Sequence, residues 1–259
     1  MEREGFCLKE TIHNLADAAV YKREKFIHNK PGYLAVTMLG GALVGVGMVL
    51  LVTIGGLLEP AGVPGVKIFQ GLAFGVALNM VILGGADLYT GNNLVMTVGA
   101  LERKTTWGDL SRIWAASWSG NFLGSILFGY LFFAAGLAVG DIAEYIMKIT
   151  MAKTAPTFME LLVRGILCNF LVCYAVWCAY KVKNEAAKVL LIFCCIFPFI
   201  TSGFEHSVAN MTLFSLATFI VPETAPYMPM LKNLIAVSIG NGIGGGVFVG
   251  YAFWVSQKS

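Results

Sequence analysis

Glu205 and His206 stand side by side in the stretch GFEHSVAN, residues 203–210, between two long apolar runs. Ionisable groups are rare in such surroundings, because charge is costly where water is excluded. A histidine placed there can donate a hydrogen bond or exchange a proton near neutral pH. A carboxylate there can brace backbone N–H groups that a broken helix leaves free. The stretch GADLYTGN, residues 85–92, repeats the arrangement: glycine, any residue, an acid, three residues, a small residue, asparagine. It supplies Asp87 and the hydroxyl of Thr90, which suits a helix cap or a group facing His206. A core histidine is more often satisfied by a backbone carbonyl; the mirrored loop is what favours a working role for His206.

The surrounding composition sets the elements that must position these groups. The chain has 259 residues, of which 57% are hydrophobic and 13% charged, with mean hydropathy +0.74. A soluble domain carries about 25% charged residues, so the pattern is that of an integral membrane protein. The formal charge of +3 gives no reason to expect a nucleic-acid partner. Cys7, Cys168, Cys173, Cys178, Cys194 and Cys195 show no ligand spacing with His13, His28 or His206. They read as small buried hydrophobes, and neither a metal nor a cofactor is expected.

Residues 1–32 place Leu8, Ile12, Leu15, Ala16 and Ala19 at helical spacing, with charges between them. An amphipathic helix lying against the membrane or the bundle is expected there. Apolar spans follow at about 34–57, 68–100, 112–139, 157–180, 187–221 and 233–256, long enough to cross a bilayer. GGADLYTGNN interrupts the second and SGFEHSVANM the fifth. A semi-polar stretch with Asp141, Glu144, Lys148 and Lys153 precedes the fourth. The expected fold is an all-α membrane protein with six transmembrane helices. Six crossings put both termini on one side, and that side holds 13 of the 18 lysines and arginines. By the positive-inside rule it is the cytoplasmic side.

GNFLG at 120–124 and GNGIG at 240–244 form a second matched pair. The two pairs are offset by 118 and 120 residues, which defines halves at 33–140 and 141–259 of one channel domain spanning 1–259. Each half has three spans, an odd number, so the repeats are inverted and the second and fifth helices are broken at corresponding places. Such pairs of broken helices mark a central substrate pathway. Freed backbone is tolerated only where it lines a cavity or finds partners, and the half-helix N-termini favour an anion. An anion pathway should not present a bare carboxylate, so Asp87 and Glu205 read as loop braces. By residue type alone Lys153 is an interfacial lysine with its head in water. Asn169 reads equally as interhelical glue or as part of the network around His206, and Phe74, Leu78, Leu88 and Phe199 are packing.

GADLYTGN and SGFEHSVANM resemble the two signature stretches of the formate/nitrite transporter family. The likeness runs from the N-terminal helix to the sixth span. AKTAP, GILCNFLVC and SVANMTLF are most similar to the nitrite branch. The resemblance implies an aquaporin-like protomer, a homopentamer with a pore in each protomer, and transport of formate, nitrite or hydrosulfide. It assigns the central histidine to His206, the loop threonine to Thr90, and the conserved lysine and asparagine to Lys153 and Asn169. It makes Phe74, Leu78, Leu88 and Phe199 two apolar constrictions. Tyr89 stands where a Phe is common, and the pair Asn92-Asn93 also departs from some relatives.

The resulting expectation is an inner-membrane channel or proton-coupled carrier for small monovalent anions, nitrite foremost. Its partners would be anions, protons and lipid, with proton exchange at His206 between the constrictions. Two rivals are weaker. A neutral-solute channel of the aquaporin kind would follow its loop asparagines with Pro, whereas Asn92 and Asn210 are followed by Asn93 and Met211. An intramembrane enzyme built on Glu205, His206 and Ser207 would need adjacent residues to converge on one atom.

Overall fold

The computed structural model describes residues 2–258. Among them every regular element is helical. The order is α1 (Glu2–His28), α2 (Lys30–Leu58), α3 (Val66–Leu83), α4 (Tyr89–Leu101), α5 (Trp107–Ala134), α6 (Gly140–Thr154), α7 (Phe158–Lys181), α8 (Glu185–Thr201), α9 (Ser207–Ile220) and α10 (Tyr227–Ile243). A π-helical segment, Gly244–Tyr251, continues α10 and leads into α11 (Ala252–Ser256). Lys30–Leu58, Val66–Leu83, Phe158–Lys181 and Tyr227–Ser256 are long and apolar enough to cross a membrane by themselves.

Local chemistry sets many of the helix starts. Asn29 Oδ1 accepts the Gly32 amide at the head of α2, with Pro31 in its first turn. Thr106 with Asp109, and Thr157 with Glu160, form reciprocal capping boxes on α5 and α7, which satisfy donors that a helix start leaves open. Helices α3 and α8 end alike. Gly85 and Gly203 have φ of 70° and 77°, the left-handed conformation that glycine adopts without penalty. Ala86 and Phe204 then donate back to the carbonyls of Val81 and Phe199, closing both helices with the same C-terminal turn. The first glycine of each eight-residue stretch is therefore a helix stop.

The apolar face of α1 turns to the bundle. Ile12, Leu15, Ala16 and Ala19 are buried in a cluster with Leu94, Val98 and Trp177 from α4 and α7. Full burial of a side chain the size of Ile12 or Leu15 contributes about 1.5–3 kcal/mol, enough to dock this helix firmly. The second cluster runs through the middle of the bundle and contains Phe74, Leu78, Leu88 and Phe199.

Two details differ from the sequence expectation. The semi-polar stretch forms its own helix, α6, with Lys153 in the last turn. The final span carries eight residues of π-helix that begin with the glycine run Gly244–Gly246, a geometry that hydropathy does not encode.

Candidate functional site

Between α3 and α4 lie five residues, Gly84–Leu88; between α8 and α9 lie five more, Ser202–His206. Their backbone groups need partners in an apolar bundle. Asp87 N–H donates to the Val36 carbonyl of α2, and Glu205 N–H to the Arg164 carbonyl of α7. The next groups are taken by two asparagines from the matched pair on α5 and α10. Asn121 Oδ1 accepts Tyr89 N–H at 2.8 Å, and its amide donates to the carbonyls of Asp87 (2.9 Å) and Thr37 (2.6 Å). Asn241 Oδ1 accepts Ser207 N–H at 3.0 Å, and its amide donates to the carbonyls of Glu205 (3.0 Å) and Gly165 (2.9 Å). All four sites of bonding thus correspond across the two halves. The glycines beside these asparagines let the helices approach: a Cβ on Gly124 would fall 1.8 Å from the Met38 carbonyl, and one on Gly244 2.3 Å from that of Ile166.

The carboxylates have other partners. Asp87 takes the Asn92 amide at 2.5 Å and Lys22 Nζ at 2.7 Å. Glu205 takes the Asn210 amide at 2.6 Å and Lys153 Nζ at 3.0 Å. Asn210 also donates to Asn233, which in turn donates to the Lys153 carbonyl. Each acid is therefore a buried counterion for one lysine and an anchor for one loop asparagine. Sequence reasoning missed Lys22, Asn121 and Asn241 in these roles. The offset of the GN pairs contained the asparagine signal. Nothing in the sequence placed Lys22, on α1, against a residue 65 positions away.

His206 is the N-cap of α9, and its Nδ1 accepts Ala209 N–H at 3.2 Å. A ring nitrogen that accepts a backbone amide carries no proton. The hydrogen of the neutral ring is then on Nε2, which lies 3.1 Å from Thr90 Oγ1. His206 donates to Thr90, and the hydroxyl hydrogen of Thr90 is left free to donate elsewhere. Asn169, wholly buried on α7, has three acceptors within reach of Nδ2: the carbonyl of Asn241 (2.7 Å), Asn93 Oδ1 (2.9 Å) and, farthest, the carbonyl of Thr90 (3.2 Å). Tyr89 turns away from this group and donates its hydroxyl to the Ser238 carbonyl on α10 at 3.0 Å.

Phe74, Leu78, Leu88, Phe199 and His206 line one small cavity of about 10 Å³, with aliphatic side chains for the remainder. Space of that size holds about one water molecule. Phe74 and Phe199 meet edge to face, their centroids 5.7 Å apart. Leu78 and Leu88 also line a larger cavity of about 250 Å³, which α1 borders with Tyr21, Lys22 and Lys25. The two leucines are the partition between them. The structure so brings together His206, Thr90 and Asn169, and sets the four apolar residues around His206. Lys153 stands apart from this cavity, on Glu205.

The sequence pattern of the formate/nitrite transporter family matches residues 9–255. The chain is 35% identical over 247 residues to the nitrite transporter NirC of Escherichia coli strain K12, covering 95% of this chain and 91% of that one. Its structure is similar to that of an FNT family ion channel, with TM-score 0.90, 34% identity, and coverage of 96% of this chain and 99% of the other. It is also similar to a pentameric formate channel with formate bound, with TM-score 0.78, 27% identity, and coverage of 90% and 100%.

Proposed function

The chain belongs to the formate/nitrite transporter family, a multi-pass membrane transport protein and not an enzyme, and from that premise we propose that it is a homopentameric channel for small monovalent anions of weak acids. Nitrite is the first candidate, in line with the likeness to a nitrite transporter; a pentamer is in line with the likeness to a pentameric channel. The membrane is the cell's inner membrane, crossed six times, with both termini in the cytoplasm. Helices α3 with α4, and α8 with α9, each make one broken crossing in inverted halves. Lys22 then stands at the cytoplasmic mouth and Lys153 at the outer one.

The observation that carries this reading is the small apolar cavity with His206 as its one ionisable wall residue. A bare anion loses its water there without gaining a full set of partners, which is costly. A weak acid escapes that cost by taking a proton. The lysines gather anions in the wide mouths, and at the narrow centre the hydroxyl of Thr90, whose oxygen takes Nε2–H of His206, offers its own hydrogen to the anion. Proton exchange at His206 requires release of the cap. Nδ1 gains a proton from water only after letting go of the Ala209 amide; the imidazolium then gives its Nε2 proton to the anion, which crosses as the neutral acid. The ring is left with its hydrogen on Nδ1, and it returns to the capped form when Nε2 takes a proton back and Nδ1 releases its own to water.

A neutral-solute channel of the aquaporin kind would need the side-chain amides of Asn92 and Asn210 free in the pore. Here they are held by Asp87 and Glu205. The test is nitrite flux into proteoliposomes across a pH series, with wild type, His206→Asn and His206→Phe. Asparagine can keep the cap on α9 but cannot titrate, so it should assemble and flatten the pH dependence. A pH profile identical to wild type, in an intact assembly, would remove proton exchange at His206 from the mechanism.

A further inference from the structure

We infer that Cys173 is a positioning residue for Thr90, acting through the Thr90 backbone. This rests on the anion-channel reading above. Cys173 lies on α7 and is fully buried. Its Sγ is 3.1 Å from the Thr90 carbonyl and donates to it. Asn169 reaches the same carbonyl, but its amide has two hydrogens and three acceptors. The carbonyl of Asn241 and Asn93 Oδ1 are nearer and take both. The thiol is then the donor that secures the Thr90 carbonyl from the α7 side.

The thiol is also held in place. A Cβ on Gly245 would lie 2.5 Å from Cys173 Sγ and 2.6 Å from Asn169 Nδ2. The π-helical segment therefore presses its bare backbone against both donors. Three elements meet at this point: the start of α4, the middle of α7 and the π-helical segment. The carbonyl and the hydroxyl of Thr90 belong to one residue in the first turn of α4. A shift of that turn moves the hydroxyl relative to Nε2 of His206, where the geometry of donation decides how the anion is met. Cys173 touches neither anion nor His206, so its influence passes through Thr90.

The experiment compares nitrite flux in proteoliposomes for wild type, Cys173→Ala, Cys173→Ser, Thr90→Ala and the double variant Cys173→Ala/Thr90→Ala. Assembly and thermal stability in detergent serve as controls. Loss of one neutral hydrogen bond corresponds to about threefold to tenfold, so Cys173→Ala should lower flux by that factor, and Cys173→Ser, which keeps a donor, should restore it. In the Thr90→Ala background, Cys173→Ala should have no further effect, because the hydroxyl that it positions is gone. A merely structural defect would instead lower flux by the same factor in both backgrounds, and that result overturns the inference. So does a serine variant no better than alanine. Should Cys173→Ala fail to assemble, Cys173→Val is read in its place by the same criteria. Absence of nitrite flux in wild type would count against the transport reading itself, a result distinct from these.

Discussion

Asn121 and Asn241, 120 positions apart, hold the two interhelical loops by the same three bonds. Each accepts the first N–H of the resumed helix and donates to the carbonyl of the acid two residues before it. The third bond goes to a neighbouring helix, Thr37 on α2 or Gly165 on α7.

Alanine at either position would strand buried backbone groups at about 1–3 kcal/mol each. Asn121→Ala and Asn241→Ala should therefore lower the thermal stability of the purified assembly markedly, and by similar amounts. Aspartate should be no better than alanine, since it sets a second acceptor against two carbonyls. Thermal unfolding followed by size-exclusion chromatography checks this; a melting temperature equal to wild type would show that the loops hold without their clamps.

Lys22 and Lys153 should both support anion entry, and Lys22 is the less expected of the two. Lys22→Gln leaves the Asp87 carboxylate facing the larger cavity without its cation, though the Asn92 amide still meets it. Charge focusing in clefts changes encounter rates by about tenfold or more. A fall of that order in nitrite flux is expected, steeper at low salt. Lys22→Gln/Asp87→Asn should recover part of it, because the bare carboxylate is the obstacle. Equal flux in wild type and Lys22→Gln would end the case for Lys22.

The docking of α1 should weaken in acid. Lys104 Nζ donates to Asp17 at 2.6 Å, and His13 lies 3.2 Å from both. The hydrogen bond from Lys104 holds the Asp17 carboxyl below its usual value. A carboxyl lowered in the folded state contributes stability that is complete above its unfolded value, about 4, and is lost as pH falls through the folded value. Amide hydrogen exchange in α1 should thus rise as pH drops below about 4, after correction for intrinsic rates. Lys104→Gln should remove that step; an unchanged step would mean that other groups set it.

Much of this protein was legible in its sequence, and the reasons are physical. Apolar length marks membrane helices because hydrocarbon thickness is constant. Glycines at 85 and 203 open both matched stretches in the sequence; that they are helix stops, where a left-handed residue is needed, came from the structure. The matched stretches placed Asp87 and Glu205 in equivalent loops because each half solves the same backbone problem; His206 caps the helix after one loop and Thr90 lies in the first turn after the other. Periodicity alone left open whether α1 lies on lipid or on protein; burial of Ile12 and Leu15 against α4 and α7 decided it.

What only the tertiary structure decided are partnerships across long separations. Lys22 on Asp87, Cys173 on Thr90, and Nε2 of His206 on Thr90 join residues 65 to 116 positions apart. Residue types state which atoms can donate and accept, and there the sequence stops. Which donor meets which acceptor depends on how the helices cross. The state of His206 follows the same rule: its composition allows two tautomers, and the Ala209 amide, presented by the first turn of α9, selects one.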